Sequence, residues 1–340
     1  MGSQLLGVDA GASNLKILEL KEKKGQFSVK NIGCVRMPAD VVVDGMVMNH
    51  EAAAQTIKGC LADMKGHVKD AALGMRGRDV VVKRIKFPWN GKGNFQESFL
   101  WGAEQYIGIS GSRASFDAQL LGYDSASGIA DAVVAAAYQE KVADCVSMAH
   151  LAGLKPVVVD IEALALVNLS IAMHGIKKHP NAIVDIGHDC TNIVFYDNGY
   201  VDMVKSLPKG CKFLMEEMAQ DMDIDMAKAA SVIRDQEAMS NDVDAQAASM
   251  SFGGGLGAEI ETAVEIYIED KRKEPVDFYI CGAGAYVPGI VSQMEIAMKV
   301  AVSYLDPFKM IDLPASMKTY ADQLGPAAFA VAAGLAMRKA

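Results

Sequence analysis

Hydrophobic positions in this chain come in short blocks whose spacing changes along its length. Leu5–Val8 and Leu15–Leu20 are apolar blocks separated by the turn "GAS", and Phe27–Met37 follows the polar "KKGQ". Blocks of this length bounded by glycine and polar residues predict a three-strand meander. The period then becomes helical. In "NHEAAAQTIKGCLADMKG", Ile57 and Leu61 stand at i, i+4, Asn49 is the expected N-cap and Glu51 lies in the first turn. Ala71–Met75 predicts a short buried strand.

A second rhythm follows. "DVVVKRIKFP" predicts a strand stopped by Pro88, and "NFQESFLWGAEQYIGI" a helix with Phe95, Phe99 and Tyr106 near one side. "ASFDAQLLGY" and "IADAVVAAAY" predict strands joined by "DSASG". "QEKVADCVSMAHLAG" predicts a helix closed by Gly153. "KPVVVDIEALALVN" predicts a strand running into a helix. Together these form a compact insert between Arg78 and about Pro156. It is rich in aromatic residues, including both tryptophans, Trp89 and Trp101. Most of these rings are expected to fill its core.

Beyond Ile183 the pattern starts again with a strand and a glycine turn. Lys212–Arg234 reads as helical, and "SNDVDAQAASMSFGGGLG" as a mobile loop, from its polar content and glycine run. "AEIETAVEIYIEDKRK" predicts a strong helix with Ile260, Val264 and Tyr267 or Ile268 on one face, ended by Pro275. "VDFYICGAGAYVPGI" predicts a buried strand, a Gly-Ala-Gly turn and a helix from about Pro288.

Two stretches match each other. "GVDAGASNLKILEL" (Gly7–Leu20) and "AIVDIGHDCTNIVFYDNGYV" (Ala182–Val201) share an apolar run, Asp-x-Gly and a second apolar run. Asp9 matches Asp185, Gly11 matches Gly187, and Ser13 lies near the position of Thr191. Lying about half the chain apart, they imply two related domains facing each other across a cleft. Glycine allows close backbone approach, and successive backbone N–H groups in such turns form an anion-binding concavity. A carboxylate beside a phosphate fits best around Mg²⁺, held through its waters, which makes Asp9 and Asp185 the metal candidates. Lys16 supplies positive charge. Gly282–Gly284 forms a third turn. Each turn alone only shapes a hairpin; the three in this order favour nucleotide binding. No Gly-x4-Gly-Lys-Ser/Thr is present, and "CGAGAYVPG" lacks the Gly-x-Gly-x-x-Gly spacing.

Composition narrows the field. The length of 340 residues accommodates two domains. A net charge of −9 argues against gripping nucleic acid by phosphate neutralisation. Six cysteines, none in a Cys-x-x-Cys pair, read as reduced and mostly buried, which fits a cytosolic protein. No signal peptide is expected, because the chain enters a strand directly. Pro326–Met337 is apolar but well short of the roughly 20 residues a membrane span needs, and reads as a core helix.

"GVDAGASNLK", "VDIGHDCTN" and "CGAGAYVPG" resemble the first phosphate, second phosphate and adenosine motifs of the actin-like ATPase superfamily. Within it the chain resembles the type IV pilus assembly PilM family, relatives of the division protein FtsA. "WGAEQYIGI", "DAVVAAAYQEKV", "GLKPVVVDIEALAL" and "LGPAAFAVAAGLAMR" carry that narrower likeness. The resemblance implies an α/β actin-like fold: a first domain over 1–77 and 157–181, an inserted partner-binding subdomain over 78–156, a second domain over 182–314, and a C-terminal segment 315–340 packing on the first. It implies a cytoplasmic scaffold that binds ATP and Mg²⁺, with weak or no ATPase activity. The scaffold sits at the inner membrane only through partners, chiefly the short N-terminal tail of a PilN-like bitopic protein, docked in the seam between insert and first domain. It is expected as a monomer or weak homo-oligomer.

Residue by residue, the resemblance puts Asp9, Gly11, Ala12, Ser13 and Lys16 on one side of the phosphates, and Asp185, Gly187, Thr191 and Gly210 on the other. Gly282, Ala283 and Gly284 would lie against the adenosine, and Glu162 near the γ-phosphate as the one catalytic candidate. Glu162 is equally a helix N-terminal acid. Relatives carry Gly-Gly where this chain has Gly210-Cys211, and a sugar-holding Glu and Lys where it has Ala230 and Ile233. An FtsA-like filament protein and a small-molecule kinase of the same fold are the alternatives.

Overall fold

The computed structural model describes residues 5–339 except 65, 67, 78, 101, 103 and 110–112. Arg78 and Trp101, named above, lie outside the described residues. The chain forms two compact units. One comprises Met1–Lys177, Tyr196–Val204 and Val331–Ala340, the other Lys178–Phe195 and Lys205–Ala330.

The first unit opens with strands β1 (Leu6–Ala10), β2 (Asn14–Lys23) and β3 (Gln26–Arg36). The β2–β3 turn is Lys24–Gly25, with φ of 53° and 78°, the left-handed pair a two-residue type I′ hairpin needs. A small ribbon, β4 (Val42–Val43) and β5 (Met46–Val47), leads into helix α1 (His50–Met64). Asn49 caps α1 as expected, its Oδ1 accepting from Ala52 N at 3.0 Å. Strand β6 (Asp70–Met75) returns beside β1. Then come β7 (Val80–Pro88), short helices α2 (Phe95–Leu100) and α3 (Glu104–Ile107), β8 (Ala114–Asp124), β9 (Ile129–Tyr138), α4 (Gln139–Leu151), β10 (Lys155–Ile161) and α5 (Glu162–His174).

Two sheets result. The first has the order β10-β6-β1-β2-β3, with β10, β6 and β1 parallel. Its core joins Leu6, Val8, Leu15 and Ile17 to Ile57 of α1 and to Cys145 and Met148 of α4. Helix α4 and strand β10, from the end of the expected insert, are thus part of this layer. The second sheet places β7 between β9 and a strand of residues 200–207, with β8 at its edge.

The single helix expected over 94–109 is two short ones. The break falls at Gly102, where a Cβ would stand 3.2 Å from the Phe87 ring. Breaking there lets both flanks close on that ring: Phe95, Phe99 and Tyr106 lie 5.8, 5.3 and 5.5 Å from it.

Arg84 ties this sheet together. It donates twice to Asp131, at 2.8 and 2.6 Å, and lies 3.5 Å from Asp202. The Arg84 hydrogen bonds, helped by Lys86, hold the Asp131 carboxyl down to about 2 from an ordinary 3.8. A carboxyl depressed by folding stabilises above its unfolded value and loses that contribution as pH falls through its folded value. Asp131→Asn should therefore flatten the acid limb of the melting curve between about pH 4 and pH 2. An unchanged acid limb in that variant would show that the pair does not contribute.

The second unit repeats the first. Strands β11 (Asn181–Ile186) and β12 (Thr191–Asp197) lead to β13 (Tyr200–Leu207), whose residues up to Val204 belong to the first unit. The β12–β13 turn is Asn198–Gly199, with φ of 52° and 83°, the same left-handed pair as at Lys24–Gly25. Helices α6 (Cys211–Asp221), α7 (Met226–Val232), α8 (Gln236–Asn241) and α9 (Val243–Lys271) follow. Then come β14 (Asp277–Cys281), α10 (Ile290–Met298), β15 (Val302–Tyr304) and α11 (Lys318–Asp322). The order β15-β14-β11-β12-β13 matches β10-β6-β1-β2-β3 strand for strand, and the three strands β15, β14 and β11 are again parallel.

The expected mobile loop over 240–257 is instead the start of α9, a helix of 29 residues. Asp242 caps it, accepting from Asp244 N and Ala245 N at 3.1 and 3.0 Å. Two of its glycines serve packing. A Cβ at Gly253 would stand 2.5 Å from Ile290 O, and one at Gly257 2.7 Å from the Ala297 Cβ and 2.9 Å from Met294 O. Gly254 and Gly255 meet nothing within 4 Å. Gly255→Ala should stabilise by about 0.5–1 kcal/mol, the ordinary helix-interior gain. Gly253→Ala should destabilise by about 1–3 kcal/mol through overpacking against α10. Chemical denaturation of the two variants checks the pair; equal shifts of one sign would refute the packing role.

Helix α12 (Ala330–Ala336) lies against the first unit. A Cβ at Gly7 of β1 would stand 2.5 Å from Ala336 N, and one at Gly334 2.6 Å from the Ala165 carbonyl carbon. Backbone lies on backbone there, which accounts for the small residues of "AVAAGLA".

Candidate functional site

In open α/β sheets ligands bind beyond the carboxyl ends of the parallel strands. In the first unit those ends are Ala10, Met75 and Ile161. Four charged side chains gather there. Asp9 is the last acid of β1 and is 1% exposed. Lys16 is its cross-strand partner on β2, so both side chains share a face, and Lys16 Nζ lies 2.5 Å from Asp9 Oδ2. Arg76 follows β6, with its guanidinium 3.8 Å from Asp9 and 3.6 Å from Glu162. Glu162 is buried at the first position of α5.

Glycines make room for this cluster. A Cβ at Gly11 would stand 2.7 Å from the Arg76 guanidinium, so Arg76 lies directly on the first turn. A Cβ at Gly74 would stand 3.0 Å from Glu162 Cγ. Gly11 N donates to Asn14 O at 3.1 Å, which closes the turn with the half-buried Ala12 and Ser13 at its tip. Ser13 O accepts from Met37 N and so ties the tip to the segment after β3.

The second unit builds the matching turn. Gly187 N donates to Cys190 O at 3.0 Å, as Gly11 N does to Asn14 O. Asp185 is 4% exposed at the end of β11. Gly282, at φ 84° after the parallel strand β14, would carry a Cβ 2.6 Å from Asp185 Oδ1 and 2.3 Å from Ile186 O. Gly210 would carry one 2.3 Å from His188 O. Thr191 is fully buried and its hydroxyl donates to Lys209 O at 2.7 Å, fixing the entry to α6. Asp185, Gly187, Thr191, Gly210 and Gly282 thus form one constellation within this unit. Gly284 joins it through Ile186, and Ala283 is half-buried on the 3₁₀ turn Ala283–Tyr286.

Cys211 sits against Gly284: a Cβ on Gly284 would be 2.7 Å from its Sγ. Burial pushes its thiol up to about 12. Ala230 and Ile233 are both buried, on α7 and at its end, and bring no charge to this part of the unit.

Arg76 is the site residue that pattern reading missed. Its only signal is position, directly after a strand that turns out to lie parallel beside β1. Among the described residues no group of three or more His, Cys, Asp or Glu is placed to hold a metal, and no helix is long and apolar enough to cross a membrane.

A chain of a "PilM-PilN type IV pilus biogenesis complex" superposes with a TM-score of 0.85 at 24% identity, covering 99% of both chains. The ethanolamine utilization protein EutJ from Carboxydothermus hydrogenoformans superposes at 0.62 with 16% identity, covering 99% of this chain and 90% of that one. The fold is the actin-like α/β fold expected from the paired turns. A family model described as type IV pilus assembly protein PilM matches residues 7–340. Both glycine turns, the inserted strands and the terminal helix all lie inside that match, and the chain belongs to the type IV pilus assembly protein PilM family.

Proposed function

We propose that this protein is a nucleotide-binding adaptor of the type IV pilus inner-membrane assembly, which holds the short N-terminal tail of a PilN-like bitopic protein. Family membership over residues 7–340 carries this reading. The relative in the PilM–PilN complex supports the choice of partner. The adaptor works on the cytoplasmic face and meets the membrane through that partner.

ATP is the nucleotide of this reading, held by the first turn with Asp9, Gly11, Ala12, Ser13 and Lys16, and by the second with Asp185, Gly187, Thr191 and Gly210. Gly282, Ala283 and Gly284 take the adenosine. Glu162 faces the Arg76 guanidinium, so no general-base step is assigned to it, and turnover is slow or absent. No metal-dependent step is part of the reading.

In place of the seam with the first domain, this reading docks the tail within the inserted segment 78–156. A groove of about 530 Å³ runs there between α2 and the edge strand β8, lined by Asn94, Gln96, Glu97 and residues 114–118. An edge strand offers backbone groups to an extended peptide, which is the usual route of strand addition. A pull-down from the native cell tests the whole reading. Recovery of a bitopic membrane protein with a short cytoplasmic tail is the expected result. Recovery of division proteins alone would favour an FtsA-like role.

A further inference from the structure

The first turn carries its own counter-charge. A hydrated Mg²⁺ beside Asp9 would be held by that carboxylate together with the phosphates of the nucleotide. Here the two acids, Asp9 and Glu162, face two cations, Lys16 and Arg76, at 2.5–3.8 Å. All four side chains are 15% exposed or less, so solvent screens them weakly. A divalent cation placed on Asp9 would stand among two fixed positive charges, Lys16 and Arg76, that already pair with this carboxylate. Among the described residues no third acid, His or Cys completes a metal group there. The metal does not fit this turn.

The same arrangement suits an anion. Both Asp9 oxygens are buried and are held by ion pairs with Lys16 and Arg76. A guanidinium presents five N–H donors in a planar fork, which lets it bridge a carboxylate and a phosphate at once. Gly11 leaves the space that brings this fork onto the phosphate turn, since a Cβ there would be 2.7 Å from it.

We infer that Arg76 takes the place of the divalent cation at the first phosphate turn. A nucleoside polyphosphate binds there without Mg²⁺, its charge countered by Arg76 and Lys16. This rests on the nucleotide reading above. Positioning of Arg76 depends on Gly11 and on Glu162, which holds the far side of its guanidinium.

Calorimetric titration of ATP into the full chain, stripped of nucleotide, tests the inference in EDTA and in Mg²⁺. The affinity in EDTA should lie within about threefold of that in Mg²⁺. Arg76→Gln should weaken binding in EDTA by about tenfold or more and make it respond to Mg²⁺, while Arg76→Lys keeps binding metal-independent. A tenfold or greater loss in EDTA for the unmodified chain would overturn the inference and leave the nucleotide reading intact. So would an Arg76→Gln variant that binds in EDTA as the unmodified chain does. Absence of binding in both buffers overturns the nucleotide reading and this inference with it. If Arg76→Gln does not fold, the two-buffer comparison on the unmodified chain decides by itself.

Discussion

Phe99→Ala should cost about 3–5 kcal/mol, the usual range for emptying a buried aromatic site. Phe99 is fully buried, and its ring lies 5.3 Å from Phe87, 6.2 Å from Phe95, 6.1 Å from Tyr106 and 5.8 Å from Phe116. Few other side chains could relax into the space, because these rings already pack on one another. The loss should be local. Phe99 belongs to the core of the second sheet of the first unit, together with Ile85, Ile107 and Ala130, Ala132 and Ala136 of β9. The core beneath the Asp9 turn is a separate set built on Leu15, Ile17 and Ile57. Hydrogen exchange should therefore speed up across β7, β8 and β9 while β1 and β2 stay protected. Tail binding should fall with the insert, and ATP binding should survive. Equal loss of protection in both sheets would mean that the two cores are one cooperative unit.

Saturating ATP should stabilise the folded protein substantially. A ligand that binds only the native state contributes RT ln(1 + [L]/Kd), so about a hundredfold excess over Kd gives roughly 2.7 kcal/mol. The melting temperature of nucleotide-stripped protein should rise accordingly. Lys16→Met should lose most of that rise, since it removes the cation that stands in register with Asp9. No shift at millimolar ATP would show that the turns only shape hairpins.

Much of this fold was legible in the chain because local chemistry and tertiary role agree there. "KKGQ" places glycine where a left-handed turn closes a hairpin, and that hairpin forms. Asp9 and Asp185, matched by pattern alone, end topologically equivalent strands. The misreadings arise where tertiary packing decides. The glycine run of α9 looks like a loop, yet Gly253 and Gly257 let α10 approach. The break at Gly102 brings both short helices onto the Phe87 ring, a contact that local propensity alone does not reveal. Arg76 was invisible for another reason. An arginine after a strand carries no pattern, and only the parallel pairing of β6 with β1 brings it to Asp9.

The adaptor role is tested most directly by hydrogen exchange of this protein with a synthetic peptide of the PilN-like N-terminal tail from the same genome. The expected result is saturable protection confined to residues 78–156, strongest along α2 and β8, with the exchange of residues 182–314 unchanged. Trp89, half-buried against Phe95 and Tyr123 at 5.5 and 5.1 Å, should report the same event in fluorescence. Protection confined to residues 182–314, or none at saturating peptide, would contradict the account.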